Sequence, residues 1–163
     1  MTRALTLLLG MAVVLLAGIG SADQRTSPAT VTHLIIRGDE ELKWKPLHPG
    51  SEIAVASGDP DRPGSPFVMR FRYHGTVRIP PHWHPTDEHI TVLSGAFVLG
   101  MGKRFDEASS TTLPPGGYAY VRRGVAHYAW SNGDTVLQVH GVGPFTITYV
   151  NPADDPGKAP PPK

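Results

Sequence analysis

The 163-residue sequence contains no cysteine. A disulfide framework, thiolate ligation of a metal and lipid attachment through an N-terminal cysteine are therefore all excluded. Charge is scarce as well: Asp, Glu, Lys and Arg make up 18% of the chain, the formal net charge is +1, and no run of like sign stands out. That balance leaves no electrostatic footprint for nucleic acid or an anionic membrane. Helical periodicity is missing from every window, although 103–111 can hold one short turn. Internal repeats are missing too, as are a nucleophile elbow, a phosphate loop, a nucleotide fingerprint and the paired carboxylates of a glycosidase.

The one long apolar run lies at the N-terminus, where Arg3 precedes it and Gly18, Gly20, Ser21 and Ala22 follow. This is the layout of a secretory signal peptide over 1–22, with cleavage after Ala22. The run is shorter than the roughly 20 residues of a full membrane span. The mature protein is accordingly expected to be periplasmic or secreted, with no membrane attachment after cleavage. Residues 23–30 read as a polar linker.

Length allows one core and one domain, placed at 31–150. The chain carries 18 Gly and 17 Pro, more than long helices tolerate. Segments rich in Val, Ile, Phe, Tyr and Thr recur between turn signals at 52–56, 67–73, 76–79, 89–93, 96–101, 118–121, 126–131, 135–140 and 145–150. This rhythm predicts an all-β sandwich or barrel. Asn132-Gly133 is the strongest hairpin signal, since a type I′ turn needs positive φ at both central residues. The stretch 151–163 is polar and Pro-rich and reads as a disordered tail.

Three of the eight histidines fall in PPHWHPTDEH at 80–89. On a strand His82 and His84 share one face while Trp83 points the other way, so two imidazoles can grip one ion. A turn after Pro85 can return Glu88 toward the same point, and His127, on a separate predicted strand, can supply a further donor. His89 or Asp87 takes the place of Glu88 if the turn is one residue longer or shorter.

These residues resemble the two motifs of the cupin superfamily. The first, G-x5-H-x-H-x3-E-x6-G, is matched by Gly75, His82, His84, Glu88 and Gly95, with six residues instead of five after Gly75. The second, G-x5-P-x-G-x2-H-x3-N, is matched by Gly116, Gly124 and His127, with Arg122 in place of the proline and Ser131 in place of the asparagine. The likeness spans 67–141 and is to the small single-domain cupins with an HWHPTDEH-type first motif. It implies a jelly-roll β-barrel, a possible homodimer, and a divalent ion held by His82, His84, Glu88 and His127. Such a nitrogen and oxygen set suits Zn, Mn, Fe, Ni, Cu or Co better than Ca or Mg.

Around that site, Tyr73, Tyr118, Tyr120 and Met101 are the expected wall of a substrate pocket, and His140 the expected residue behind the ligands. The implied activity is that of a metal-dependent enzyme, dioxygenase-like, acting on a small organic molecule, with Glu88 as its base. The alternative is a non-catalytic module of the cell envelope that captures a small ligand or the metal itself.

Overall fold

Alternate residues point to opposite faces of a strand, and the burial of the central strands follows that period of two. The computed structural model describes residues 34–158, so the expected signal peptide, the linker at 23–30, His33 and 159–163 lie outside the described residues. The strands are β1 (Lys45–His48), β2 (Ser51–Gly58), β3 (Pro66–Tyr73), β4 (Arg78–Trp83), β5 (Glu88–Ser94), β6 (Phe97–Met101), β7 (Thr111–Leu113), β8 (Tyr118–Val121), β9 (His127–Ser131), β10 (Thr135–Val142) and β11 (Thr148–Tyr149). Two antiparallel sheets form, ordered β1-β2-β3-β10-β5-β8 and β11-β4-β9-β6-β7. Together they make a jelly-roll β-barrel. Among the described residues no helix is long and apolar enough to cross a membrane.

In β5, Glu88, Ile90 and Val92 are buried while His89 and Thr91 are only partly so; in β10 the buried set is Thr135, Leu137 and Val139. Val139 lies opposite Ile90 and Leu137 opposite Val92, so both strands turn the same face inward. Phe97 and Ala129 of the second sheet join this core. Each fully buried large apolar side chain contributes about 1.5–3 kcal/mol.

The Asn132-Gly133 pair does not close a hairpin. It carries the chain from β9 in one sheet to β10 in the other, and only Gly133, at φ 82°, has positive φ. The reason is that both edges of β9 are taken by β4 and β6, and both edges of β10 by β3 and β5. Beyond β11 the chain passes through 3-10 turns at Pro152–Asp154 and Pro156–Lys158, within the stretch expected to be a tail. The Asn151 side chain caps the first turn by accepting from Ala153 N–H at 3.2 Å.

Candidate metal centre

Two prolines shape the strand that brings the first ligand in. Pro80 and Pro81 have no N–H for the ladder, and between Ile79 and His82 the register of β4 shifts against β9, two residues opposing one. The bulge frees the Pro80 carbonyl, which accepts a hydrogen bond from His82 Nδ1 at 2.7 Å. His82 then stands directly opposite His127, the first residue of β9, with ring centroids 4.2 Å apart. His84 follows β4, and its carbonyl accepts Gly124 N–H at 2.9 Å, which fixes the turn leading into β9.

The three rings are oriented alike. His84 Nδ1 bonds the Thr146 carbonyl at 2.8 Å and His127 Nδ1 the Val125 carbonyl at 3.0 Å. A carbonyl can only accept, so each Nδ1 carries the proton and each Nε2 presents a lone pair. Potential ligand atoms of His82, His84 and His127 lie within 4.8 Å of one another, and all three residues are buried. Glu88 Oε2 sits 3.2 Å from His127 Nε2 and 3.7 Å from His84 Nε2. At 3.2 Å an N–H could donate, but a neutral ring that has given its Nδ1 proton to Val125 has none left. Glu88 Oε2 and His84 Nε2 therefore remain buried without a hydrogen-bond partner.

Lone pairs and an anionic oxygen turned toward one point repel unless a cation lies between them, so this donor set fits a divalent metal. Burial, and then the neighbouring His127, pull the His82 imidazole down to about 3, so it stays neutral and free to ligate. Burial also lowers His84, against the pull of the Glu88 charge. For Glu88 burial acts upward as the largest single effect, and it is outweighed when the imidazoles carry the extra proton, through a hydrogen bond from His127 Nε2 and the charges of His84, His127 and His82, which hold the carboxyl below its ordinary value.

The structure brings Glu88, and neither Asp87 nor His89, to the three rings. Asp87 is committed elsewhere, accepting from Arg123 N–H at 2.8 Å and from the Tyr120 hydroxyl at 3.1 Å. His89 lies on the outer face, bonded to the Tyr118 hydroxyl at 2.7 Å. His140 pairs with His89 across β10 and β5 and stacks on it at 4.7 Å, so it shares that outer face and does not stand behind the ligands. The inward parity of β10 belongs to Leu137 and Val139.

A cavity of about 920 Å³ borders the centre, with His82, His84, Glu88 and His127 in its lining. Of the four expected wall residues it contains Tyr73. Tyr118, Tyr120 and Met101 are more than half exposed: β8 buries Val121, which puts Tyr118 and Tyr120 on the opposite face, and Met101, though it shares the parity of Phe97 and Leu99, stands at the exposed end of β6. The cavity adds Tyr149 and Leu47, which the sequence had not singled out. Tyr149 pairs with His82 across β11 and β4. It lay inside a predicted strand, but nothing in the residue pattern set that strand's parity. Ser131, noted only as a departure from the second motif, is fully buried; its hydroxyl accepts Val77 N–H at 2.8 Å and donates to the Gly75 carbonyl at 2.7 Å. That hydroxyl tethers the end of β9 to the turn before β4.

A jelly-roll barrel that gathers imidazoles and a carboxylate beside an internal cavity defines a class of metal-compatible small-molecule barrels. Residues 69–143 match the family model described as Cupin domain, and the chain belongs to the cupin superfamily. A comparison with curated proteins finds no match in sequence. Among solved structures, the polyketide cyclase RemF from Streptomyces resistomycificus is similar with a TM-score of 0.61 and 18% identity, over 76% of this chain and 90% of that one. KdgF from Halomonas sp. gives 0.52 and 18%, over 64% and 90% of the two chains. Salicylate 1,2-dioxygenase from Pseudoaminobacter salicylatoxidans, in complex with gentisate, gives 0.52 and 14%, over 64% of this chain and 30% of that one. At these identities the likeness establishes the fold alone.

Proposed function

We propose that the protein is a metal-dependent enzyme with dioxygenase-like chemistry on a small, enolisable organic molecule. The observation that carries this reading is the position of Glu88 Oε2, buried, unpartnered and bordering the same cavity as the three imidazoles. A purely structural metal site closes its ligand shell within the protein, whereas a catalytic one keeps open space beside the donors. Here that space is about 920 Å³, enough for a drug-sized molecule.

A divalent transition ion bound by these residues supplies Lewis acidity toward a substrate oxygen and, where the ion is redox-active, a route to dioxygen. The chain's own residues do the rest. Carbonyls of Pro80, Val125 and Thr146 hold the imidazoles in one tautomer. Apolar walls including Met69, Ile90 and Leu99 exclude water around a bound molecule. Glu88 accepts a proton from the carbon acid of an enolisable substrate, its basicity set by burial against the surrounding imidazoles.

Oxygen uptake and product formation across a panel of β-diketones and small enols, with metal-loaded protein, test the reading. Turnover that disappears in Glu88→Gln supports it. Binding without turnover across the panel would leave the non-catalytic capture module instead. Export is part of the proposal and rests on the N-terminal sequence; recovery of the chain from the cytoplasm with 1–22 intact would remove it. In the envelope Zn, Mn and Cu are the ions we favour, and elemental analysis of protein from its native source decides among them.

A further inference from the structure

The carbonyl that aims His127 sits on a turn with almost nothing of its own to bury. Val121 ends β8, and Arg122, Arg123, Gly124 and Val125 are all exposed before the chain re-enters the barrel at His127. Apolar burial therefore does little to place the Val125 carbonyl. Arg122 also stands where the second motif has a proline, whose ring would fix φ at the head of the turn. The turn is held by its own N–H groups. Val125 N–H closes it on the Arg122 carbonyl at 3.1 Å, Gly124 N–H reaches the His84 carbonyl at 2.9 Å, and Arg123 N–H reaches Asp87 Oδ1 at 2.8 Å. Asp87 is thus, among the described residues, the one side chain that accepts from the turn backbone.

Asp87 is itself well fixed. The Tyr120 hydroxyl donates to its other carboxylate oxygen, Oδ2, at 3.1 Å. Gly141 lets β10 pass so near that a Cβ there would come within 2.8 Å of the Asp87 carbonyl oxygen. The next residue, Glu88, is locked into β5 opposite Val121. One carboxylate therefore ties the residue beside Glu88 to the turn that aims His127.

We propose that Asp87 is a positioning residue of the metal centre, fixing the 122–125 turn and, through the Val125 carbonyl, the tautomer and aim of His127 relative to Glu88. This rests on the metal centre described above and not on the chemistry proposed for it. Both Asp87 oxygens are engaged by Arg123 and Tyr120, so the residue acts through His127 and not as a ligand.

Imidazole nitrogen NMR of the metal-free protein reads the effect directly. In wild type His82 and His127 should each show the Nδ1–H tautomer alone. In Asp87→Ala His127 should become a mixture of tautomers, while His82, aimed by Pro80 of its own strand, keeps its single form. Zn(II) affinity of that variant, from chelator competition, should fall about 10- to 100-fold, the usual effect of losing an outer partner of a metal ligand. Asp87→Asn keeps an oxygen for Arg123 N–H and should stay within about three-fold of wild type. Hydrogen exchange on wild type is a check that no variant can spoil: the Arg123 amide should be protected although its residue is exposed.

An unchanged His127 tautomer and Zn(II) affinity in Asp87→Ala overturns the role, as does equal loosening of His82 and His127. An Arg123 amide that exchanges like an unbonded one overturns it too. So does an Asp87→Asn variant as weak as Asp87→Ala, which would mark an effect of charge instead of position. Wild type that binds no Zn(II) overturns the metal centre itself, a failure that the metal-free His127 spectrum tells apart from a failure of Asp87.

Discussion

The ring of Tyr128 lies against the backbone of Gly100, so near that a Cβ at position 100 would come within 2.2 Å of it. The two residues are paired across β6 and β9, and Tyr128 is fully buried with its hydroxyl donating to the Asp106 carbonyl at 2.7 Å. It is also the neighbour of His127. Gly100→Ala must push the ring or the strand aside, an overpacking cost of about 1–3 kcal/mol. We expect a melting temperature several degrees lower and metal affinity reduced about ten-fold as β9 shifts, an effect of the size seen when a ligand's support is disturbed. A variant that melts and binds metal like wild type would show that β9 has slack the packing does not suggest.

Ligand substitutions should separate cleanly by face. His82→Ala and His127→Ala should each lose most bound metal by elemental analysis, whereas His74→Ala, an exposed residue paired with Glu52, should retain it. Glu88→Gln keeps size and one oxygen but loses charge, so metal should be partly retained while turnover falls by about two orders of magnitude. His89→Gln, on the outer face, should leave metal content intact. Loss of metal in His89→Gln with retention in Glu88→Gln would sink the assignment.

Acidification should weaken the metal-free protein in a defined window. His82 is held at about 3 in the fold against 6.5 for the ordinary imidazole. Between those values the unfolded chain binds a proton that the native chain does not, so stability rises with pH through the window and is fully present above 6.5. Glu88 acts in the same direction, since its carboxyl lies below its ordinary 4.5 in the fold and its contribution is lost as pH falls. Urea unfolding from pH 3 to 7 should therefore give midpoints that climb with pH, and His82→Gln should flatten the slope. A flat wild-type profile would falsify the buried neutral imidazole.

Ser131 offers a test of the tether between β9 and the turn before β4. Ser131→Ala strips a partner from Val77 N–H and from the Gly75 carbonyl. The expected loss is about 1–3 kcal/mol of unfolding free energy. Metal content should stay near wild type, because the hydroxyl touches no ligand.

Periodic burial made most strands legible. The segments at 67–73, 118–121 and 135–140 coincide with β3, β8 and β10 to within a residue or two, since one face of each is buried. β1 was not legible, because all four of its residues are exposed and Pro46 sits at a sheet edge, leaving no alternation to read. The predicted segment at 76–79 covers only the start of β4, which runs from Arg78 through a bulge at Pro80 and Pro81 to Trp83 and so carries His82 on a strand, as its alternation with Trp83 and His84 had suggested. For the site, His82, His84, Glu88 and His127 could be found from spacing, since motif and strand parity are local. The cavity wall could not. Whether Tyr118, Met101 or Tyr149 faces inward depends on which sheet each strand joins, and partners such as β4 and β11 are set by contacts far apart in sequence.

The supports of the three imidazoles differ in reach along the chain. His82 and His127 lean on carbonyls two residues earlier, Pro80 and Val125, whereas His84 leans on Thr146, 62 residues later. Two rings are thus aimed by their own strands and inherit whatever rigidity those strands have. The third is aimed by a remote loop, whose neighbour Phe145 also stacks on it at 4.2 Å. Sequence change in that loop can retune one ligand of the centre while the other two keep their aim, giving the site a single adjustable arm on an otherwise fixed mount.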